Sequence, residues 1–189
     1  SQTPLLTCTA TGTDVDNDPV SFSYEWFVDT QIQTETSNMF SGPFIVGVVI
    51  ACRATPTDGK DDGTPLDDTA TIENTDPVVD SIGISPDTGV TTSTMLSCTV
   101  SASDVDGGTP TIAYDWTVNG NSGGRAMQLT LTPSMVSPSD SVTCNATVSD
   151  ADGGSATGTA VVTVENTVPV FTANASIIPG IGVVTGTVL

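Results

Sequence analysis

The sequence has no histidine and only three basic residues, Arg53, Lys60 and Arg125, among 189. Its 22 acidic residues give a formal net charge of −19. Because contacts to phosphate groups need a basic surface, we expect no nucleic-acid partner and no anionic membrane partner. No signal peptide or membrane span is visible either, which suggests a mature or excised segment of a secreted chain.

Without histidine, the chain lacks the commonest general base, and a serine nucleophile would lack its usual partner. Pairs of carboxylates hydrolyse glycosides in some enzymes. Here, however, the carboxylates occur in repeated turns, with no sign of a pocket. We therefore expect no enzymatic activity.

Three stretches alternate apolar and polar residues, which is typical of half-buried strands. They are Leu96–Ala102, Ile112–Val118 and Ser141–Val148. The pattern places Cys98, Trp116 and Cys144 on the apolar faces of three different strands. This arrangement predicts two sheets joined by a disulfide across a tryptophan-filled core. The expected fold class is therefore all-β.

The four cysteines, Cys8, Cys52, Cys98 and Cys144, allow three pairings. The strand pattern favours Cys8–Cys52 and Cys98–Cys144; the alternative is free thiols buried as small apolar groups. Each bridge would close a loop of about 45 residues, which constrains the unfolded chain by about 4 kcal/mol. Because the chain has no C-x-x-C motif, we expect no zinc or redox site. Structural disulfides indicate an oxidising compartment.

An internal repeat runs through the chain. Cys8 and Cys98 lie 90 positions apart, as do Trp26 and Trp116. The segment Glu73–Val78 returns as Glu165–Val170, 92 positions later. A period near 90 with several short strands predicts tandem β-sandwiches rather than a short-repeat solenoid.

The repeat divides the chain into three predicted segments. Residues 1–74 form a sandwich that lacks its own first strand, residues 75–166 form a complete one, and residues 167–189 begin a further repeat. The predicted strands are Leu5–Gly12, Val20–Asp29, Gln31–Thr36, Ser37–Ile45, Val48–Thr55, Thr69–Asn74, Val79–Ser85, Thr92–Ala102, Thr111–Asn119, Ala126–Thr132, Ser141–Ser149 and Gly158–Glu165. Proline in the short linker Thr75–Pro77 fixes φ, so neighbouring sandwiches should lie end to end with limited bending.

The tail, Val168–Leu189, contains no charged residue and matches Val78–Leu96, the opening of a repeat. The start of the chain, Ser1–Leu6, matches Thr91–Leu96. The tail therefore contains the piece that the first sandwich lacks. It either begins a following domain of a longer array or completes the first sandwich of another copy by strand addition. The residues expected to make this contact are Val170, Phe171, Ile177, Ile178, Val183, Val184 and Val188.

With its Cys…Tyr-x-Trp…Cys pattern and the Asn-Thr-x-Pro-Val sequence between repeats, the chain resembles immunoglobulin-like and PKD-like repeats of large prokaryotic surface proteins. The resemblance covers essentially the whole chain and implies immunoglobulin-like sandwiches, each with one disulfide between its sheets. Two family features are absent: Ile50 and Val142 replace the corner tyrosine, and no Gly-Asp-Gly follows the Trp strand. Such repeats usually act as adhesive, spacer or filament-building modules.

Acidic turns raise the question of calcium, which prefers several oxygen ligands. The candidate ligands are Asp14, Asp16, Asp18, Asp104, Asp106, Glu73 and Asp76. Asp14, Asp16 and Asp18 imitate EF-hand spacing, but Pro19 lies where that loop needs glycine. A looser site near Glu73, Asn74 and Asp76 at the domain junction remains the calcium hypothesis, and no other cofactor is expected. The alternative is that these residues only form exposed turns.

Other side chains could act at the surface. Asn145 and Asn174 begin N-glycosylation sequons, and Asn145 should face outward from its strand. Trp26, Trp116, Tyr24 and Tyr114 could stack on a carbohydrate, but their register favours packing on the core disulfides. Phe27 and Phe40 have no counterpart in the second repeat and form either an exposed patch for a neighbouring subunit or local packing.

These patterns favour a structural repeat of an extracellular filament, or of a long surface stalk or adhesin. Its partners would be copies of itself or adjacent repeats of the same chain. The alternative function is an adhesion module whose loops bind a glycan or a protein.

Overall fold

The computed structural model describes residues 5–176 and Gly182, and these residues form strands and no helix. The first group of strands is β1 (Leu5–Thr7), β2 (Ser21–Val28), β3 (Gln31–Ile32), β4 (Met39–Ser41), β5 (Val49–Thr57) and β6 (Leu66–Thr71). The second group is β7 (Val78–Ser85), β8 (Met95–Ser103), β9 (Thr111–Val118), β10 (Asn121–Gly124), β11 (Gln128–Thr130), β12 (Ser141–Ser149) and β13 (Ser155–Thr163). In the described part of the chain, no helix has the length and apolar character needed to cross a bilayer.

The second group forms two antiparallel sheets, with strand orders β11-β8-β7 and β10-β9-β12-β13. The Cys98–Cys144 disulfide joins the two sheets through β8 and β12. Burial alternates along β12, where Val142, Cys144, Ala146 and Val148 are all fully buried. The period of two in the sequence therefore places one apolar face of each sheet in the core between them.

The first group repeats this plan with one strand fewer. Its four-stranded sheet has the order β3-β2-β5-β6, and its second sheet contains only β1 and β4. The Cys8–Cys52 disulfide joins the end of β1 to β5. Both groups are thus immunoglobulin-like sandwiches with one disulfide between their sheets, as the sequence predicts.

The two cores differ in size. In the second sandwich, thirteen buried residues form one cluster around Trp116 and the disulfide. In the first, the buried cluster contains Trp26, Ile50 and Cys52, and its other apolar neighbours, among them Leu6 and Phe44, are only partly buried. The first sandwich therefore protects its tryptophan with fewer buried side chains.

Several predicted strand ends are wrong. The last strands of the two sandwiches begin and end earlier than predicted, at Leu66–Thr71 and Ser155–Thr163. The prediction also missed β10, which follows a two-residue turn in which Asn119 and Gly120 have φ of 46° and 83°. Positive φ at both positions is the requirement of a type I′ hairpin turn.

Two further predictions concern contacts with a neighbouring subunit, and of these the contact made by the tail stays a prediction. Phe40 stacks on Trp26 with ring centroids 5.3 Å apart, so it belongs to the local packing rather than to an exposed patch. In the tail, residues 168–176 form no strand, and Val170 and Phe171 are 80% and 92% exposed. Of the other predicted contact residues, Ile177, Ile178, Val183, Val184 and Val188 lie outside the described residues.

Candidate functional site: an open strand position in the first sandwich

In the second sandwich, β7 closes one edge of the fold. It pairs antiparallel with β8 from Val78 opposite Ser103 to Ser85 opposite Ser97. It also packs on β13, where a Cβ added to Gly158 would lie 3.0 Å from Val79 Cγ1. The strand β7 thus provides hydrogen-bond partners for the backbone of β8 and also covers part of β13.

The first sandwich has no strand in the corresponding position among residues 5–76. Its β1 ends at Thr7 and pairs only with β4. All six residues of β6, the counterpart of β13, are exposed. Leu66, which lies 92 positions before Gly158, is 77% exposed. The edge that β7 closes in the second sandwich is therefore open in the first.

A cavity of about 610 Å³ lies along this open edge. Its lining includes the segment Cys8–Asp14 and residues Leu66–Asp68. Phe22 of β2 and Ala54 of β5 also line it. Cys8 donates its backbone N–H to Asn38 O at 2.8 Å on the β4 side, so the other edge of this segment remains available for pairing.

The charged side chains that line the cavity are all acidic, and two basic side chains, Lys60 and Arg53, lie nearby. Asp14, Asp58, Asp61, Asp62, Asp67 and Asp68 all contribute to its lining. Lys60 Nζ pairs with Asp18 Oδ2 at 2.5 Å, and Arg53 Nε pairs with Asp67 Oδ1 at 2.8 Å. A strand that entered here would avoid repulsion only if it contained no carboxylates.

The predicted disulfide and aromatic residues lie in the cores. Trp26 is 3% exposed and Trp116 is fully buried. The Trp26 Nε1–H donates to Ser37 O at 2.9 Å, and the Trp116 Nε1–H donates to Ala126 O at 2.8 Å. Tyr24 and Tyr114 are partly buried against the same clusters. With both indoles buried, a stacking platform for carbohydrate would need other rings.

The predicted calcium ligands do not form one group. In the first repeat, Asp14 Oδ1 accepts the Asp16 N–H at 2.7 Å, while Asp18 pairs with Lys60. Within the described residues, no three acidic or cysteine side chains converge on a common metal position. Asp14, Asp16 and Asp18 therefore form no carboxylate cage in this structure, and calcium binding by these residues stays a prediction.

At the domain junction, two of the predicted calcium ligands, Asp106 and Asp76, lie close to residues that were not predicted as ligands. Asp106 Oδ2 accepts the Thr75 N–H at 2.5 Å. Asp76 lies near Gly154 in the turn that begins at Asp150, and both Asp76 and Glu73 are exposed. Asp104 Oδ1 accepts the Asp106 N–H at 2.8 Å.

The two sequons lie in different surroundings. Asn145 is half-buried on β12, where its Nδ2 donates to Asp115 O at 3.4 Å and its Oδ1 accepts from Thr159 Oγ1 at 3.4 Å. The nitrogen to which a glycan would be linked is thus already hydrogen-bonded across the sheet. Asn174 is exposed. Glycosylation at either residue stays a prediction.

The strand order, the inter-sheet disulfides and the buried tryptophans define the class of this chain as a tandem immunoglobulin-like β-sandwich. No family model and no curated protein matches its sequence.

Two solved structures are similar to the chain at low identity. The three N-terminal domains of the highly immunogenic outer capsid protein of bacteriophage RB49 are 17% identical, with a TM-score of 0.35 over 85% of this chain. The chain spans 53% of that structure. The fibronectin type III-like modules of CbhA from Clostridium thermocellum are 15% identical, with a TM-score of 0.32 over 81% of this chain and 82% of theirs.

Proposed function

We propose that the chain is a non-catalytic structural repeat of an extracellular filament or long surface stalk, whose copies join head to tail by strand addition. The C-terminal segment of one copy enters the open edge of the first sandwich of the next. The observation on which this depends is that the first sandwich lacks a strand in the position of β7 and has a cavity there, in a chain whose tail matches the stretch Val78–Leu96 by register.

The tail has the right apolar residues for this position. Pro86, Gly89 and Leu96 return 93 positions later as Pro179, Gly182 and Leu189. The three positions of Val78–Leu96 that are buried in the second sandwich are Ile84, Val90 and Leu96, and in the tail they are occupied by Ile177, Val183 and Leu189. The tail therefore has an apolar residue at each of the three positions that are buried in the complete sandwich.

The overlap between the two ends of the chain supports the same pairing. Residues 184–189 match Ser1–Leu6, which the first sandwich already contains. The stretch that this sandwich lacks is thus Val170–Val183. It contains no charged residue, which suits a cavity lined by carboxylates.

Strand addition of this kind is heterologous, because the tail and the cavity are different surfaces. Such a contact produces an open fibre unless the rotation between copies closes a ring. The two disulfides support an oxidising, extracellular setting. Load would pass through backbone hydrogen bonds of the added strand and through the covalently bridged cores.

The test uses a synthetic peptide with the sequence of residues 168–184 and the oxidised chain shortened after Val168. Ligand that binds only the folded state stabilises it, so the peptide should raise the thermal transition of the first sandwich in a concentration-dependent way. A peptide with Ile177→Asp should not. The full-length chain should form polymers in sedimentation and electron microscopy, and Ile177→Asp should abolish them.

The matched control is Thr167→Asp, which adds the same charge at an exposed residue outside both the missing stretch and the predicted contact residues and should leave polymers intact. A full-length chain that remains monomeric at every concentration, together with an unchanged transition in excess peptide, would overturn strand addition.

A further inference from the structure

One strand position differs in side-chain size between the two sandwiches. In the first, Leu66 of β6 lies opposite Ala54 of β5, and in the second, Gly158 of β13 lies opposite Ala146 of β12. These two pairs are equivalent, because each alanine lies two residues after the disulfide cysteine of its own strand. The first sandwich thus has a leucine where the second has no side chain.

In the second sandwich, β7 fills the space beside this glycine. A Cβ added to Gly158 would lie 3.0 Å from Val79 Cγ1, and 3.4 and 3.6 Å from Ile82 Cγ2 and Cδ1. All three atoms belong to side chains of β7. A side chain as long as leucine at position 158 would therefore displace the strand, because close-packed contacts leave no room for additional carbon atoms.

In the first sandwich, Leu66 projects into the open edge. Its neighbour Asp67 is bonded to Arg53 at 2.8 Å, and Arg53 lies on the outer face of β5, between two buried residues. Because successive residues of a strand point to opposite faces, Leu66 points to the inner face. There it lines the cavity and is 77% exposed. A strand that enters the edge has to share the space with this leucine.

The tail is small at the position that would meet Leu66. Counted back from the proline that the two stretches share, Ile82 corresponds to Ala175 and Val79 to Thr172. Alanine is three carbon atoms shorter than isoleucine, and threonine has nearly the same shape as valine. The volume that leucine adds to the first sandwich is therefore almost balanced by the volume that alanine removes from the tail.

Charge differs between the two stretches in the same direction. Asp80 and Asp87 of the repeat correspond to Ala173 and Gly180 of the tail. Since aspartates line the cavity, a strand with the repeat sequence would bring like charges together there. Charge and size therefore both favour the tail over the sequence of β7.

We propose that Leu66 is a specificity-determining residue of the first sandwich. It admits the tail of another copy, in which Ala175 leaves room for the leucine, and it excludes β7 of another copy, in which Ile82 would occupy the same space. This inference rests on the proposed strand addition and adds to it the choice between two strands that match in register.

The difference in size would keep the copies in head-to-tail order. If β7 of one copy entered the first sandwich of another, the two copies would be domain-swapped and the donor would lose the strand that closes its own second sandwich. Conversely, a tail that replaced β7 would leave a cavity beside Gly158, because Ala175 is shorter than Ile82. Each strand thus fits only its own sandwich.

The test exchanges the two sizes in the oxidised, full-length chain and measures by sedimentation the concentration above which polymers form. Ala175→Ile adds three carbon atoms and Leu66→Ala removes three, so the double variant conserves volume at the contact. Ala175→Ile alone should raise this concentration at least about tenfold by overfilling the space, and Leu66→Ala alone at least about threefold by leaving a cavity. The double variant should return to within about threefold of the original chain, because the effects of residues in contact are not additive.

The matched control is Ser176→Ile, which places the same side chain on the opposite face of the added strand. Its counterpart in the repeat is Gly83, where an added Cβ meets only Thr99 Oγ1, at 3.8 Å. This variant should form polymers like the original chain. Because Leu66 and Ala175 are exposed within one chain, all variants should also keep the thermal transitions of the dilute original chain.

Two results would overturn the role of Leu66 while leaving strand addition intact. They are polymers that form equally well with Ala175→Ile, and a double variant that polymerises less readily than either single variant. An original chain that forms no polymer at any concentration would overturn both proposals.

Discussion

The two tryptophans allow the effect of a Trp→Ala substitution to be compared between the larger core of the second sandwich and the smaller core of the first. Trp116 is fully buried in a cluster with twelve other buried residues, whereas the buried cluster around Trp26 contains only Ile50 and Cys52 besides itself. Truncating a buried tryptophan to alanine costs about 3–5 kcal/mol, and the cost rises when the surroundings cannot collapse into the cavity. Trp116→Ala should therefore lie near the top of that range and Trp26→Ala near the bottom.

The hydrogen bonds do not change this order. Each indole N–H donates to a backbone carbonyl, Trp116 to Ala126 and Trp26 to Ser37, and both carbonyl residues are exposed, so water can replace the lost donor. Trp26→Ala also loses the stacked Phe40 ring, which adds about 0.5–1.5 kcal/mol. The lost stacking makes the destabilisation of Trp26→Ala more similar to that of Trp116→Ala, but Trp116→Ala should still lose more free energy of unfolding.

Scanning calorimetry on the oxidised chain measures the prediction. For a domain of 60–100 residues, each kcal/mol lowers the transition temperature by about 4–8 °C. Trp116→Ala should therefore lower the transition of the second sandwich by at least about 12 °C, and Trp26→Ala should lower that of the first by less. Equal shifts, or a larger shift for Trp26→Ala, would refute the argument from core completeness.

Two other predictions concern acid and close packing. Hydrogen bonds from the Ser137 N–H and the Asn119 side chain lower the pKa of Asp140. At low pH the Asp140 carboxyl therefore binds a proton more readily in the unfolded chain than in the folded one. Its contribution to the free energy of unfolding should be constant above about pH 5 and should fall as the pH drops below about 4. Urea titrations at pH 3–7 should show that the free energy of unfolding depends less on pH in Asp140→Asn. An equal dependence on pH in the variant and the original chain would contradict the prediction. Gly158→Val should destabilise the second sandwich by about 1–3 kcal/mol, because its Cβ would press on β7. Leu66→Val, at the equivalent open position, is the control and should have little effect on stability in urea.

The sequence predicted the all-β sandwiches and their disulfides because the determining patterns are local. Alternation of apolar residues around Cys98, Trp116 and Cys144 shows which face of each strand is buried. The 90-residue repeat then predicts equivalent strands in the first sandwich. The Asn119–Gly120 pair was a visible hairpin signal that would have located β10.

The junction was predictable only in part. Asn74 and Asp76 were named as a linker site, but Asp150 reaches them only after β7–β13 have folded, and no pattern in the sequence indicates that approach. Similarly, the sequence indicated a missing strand, whereas the volume left open beside Leu66 depends on how β6 and the segment after β1 diverge in space.

The positions of the disulfides limit how far a pulled molecule can lengthen. The second bridge joins cysteines 46 positions apart, so about half of residues 75–166 lie inside a covalent loop that tension cannot open. At about 3.4 Å per extended residue, an unravelled sandwich would gain roughly 150 Å of contour rather than twice that. A fibre of such units would therefore lengthen under a sudden load in short steps of limited size. Each disulfide-closed loop would also lower the entropic cost of refolding once the force was removed.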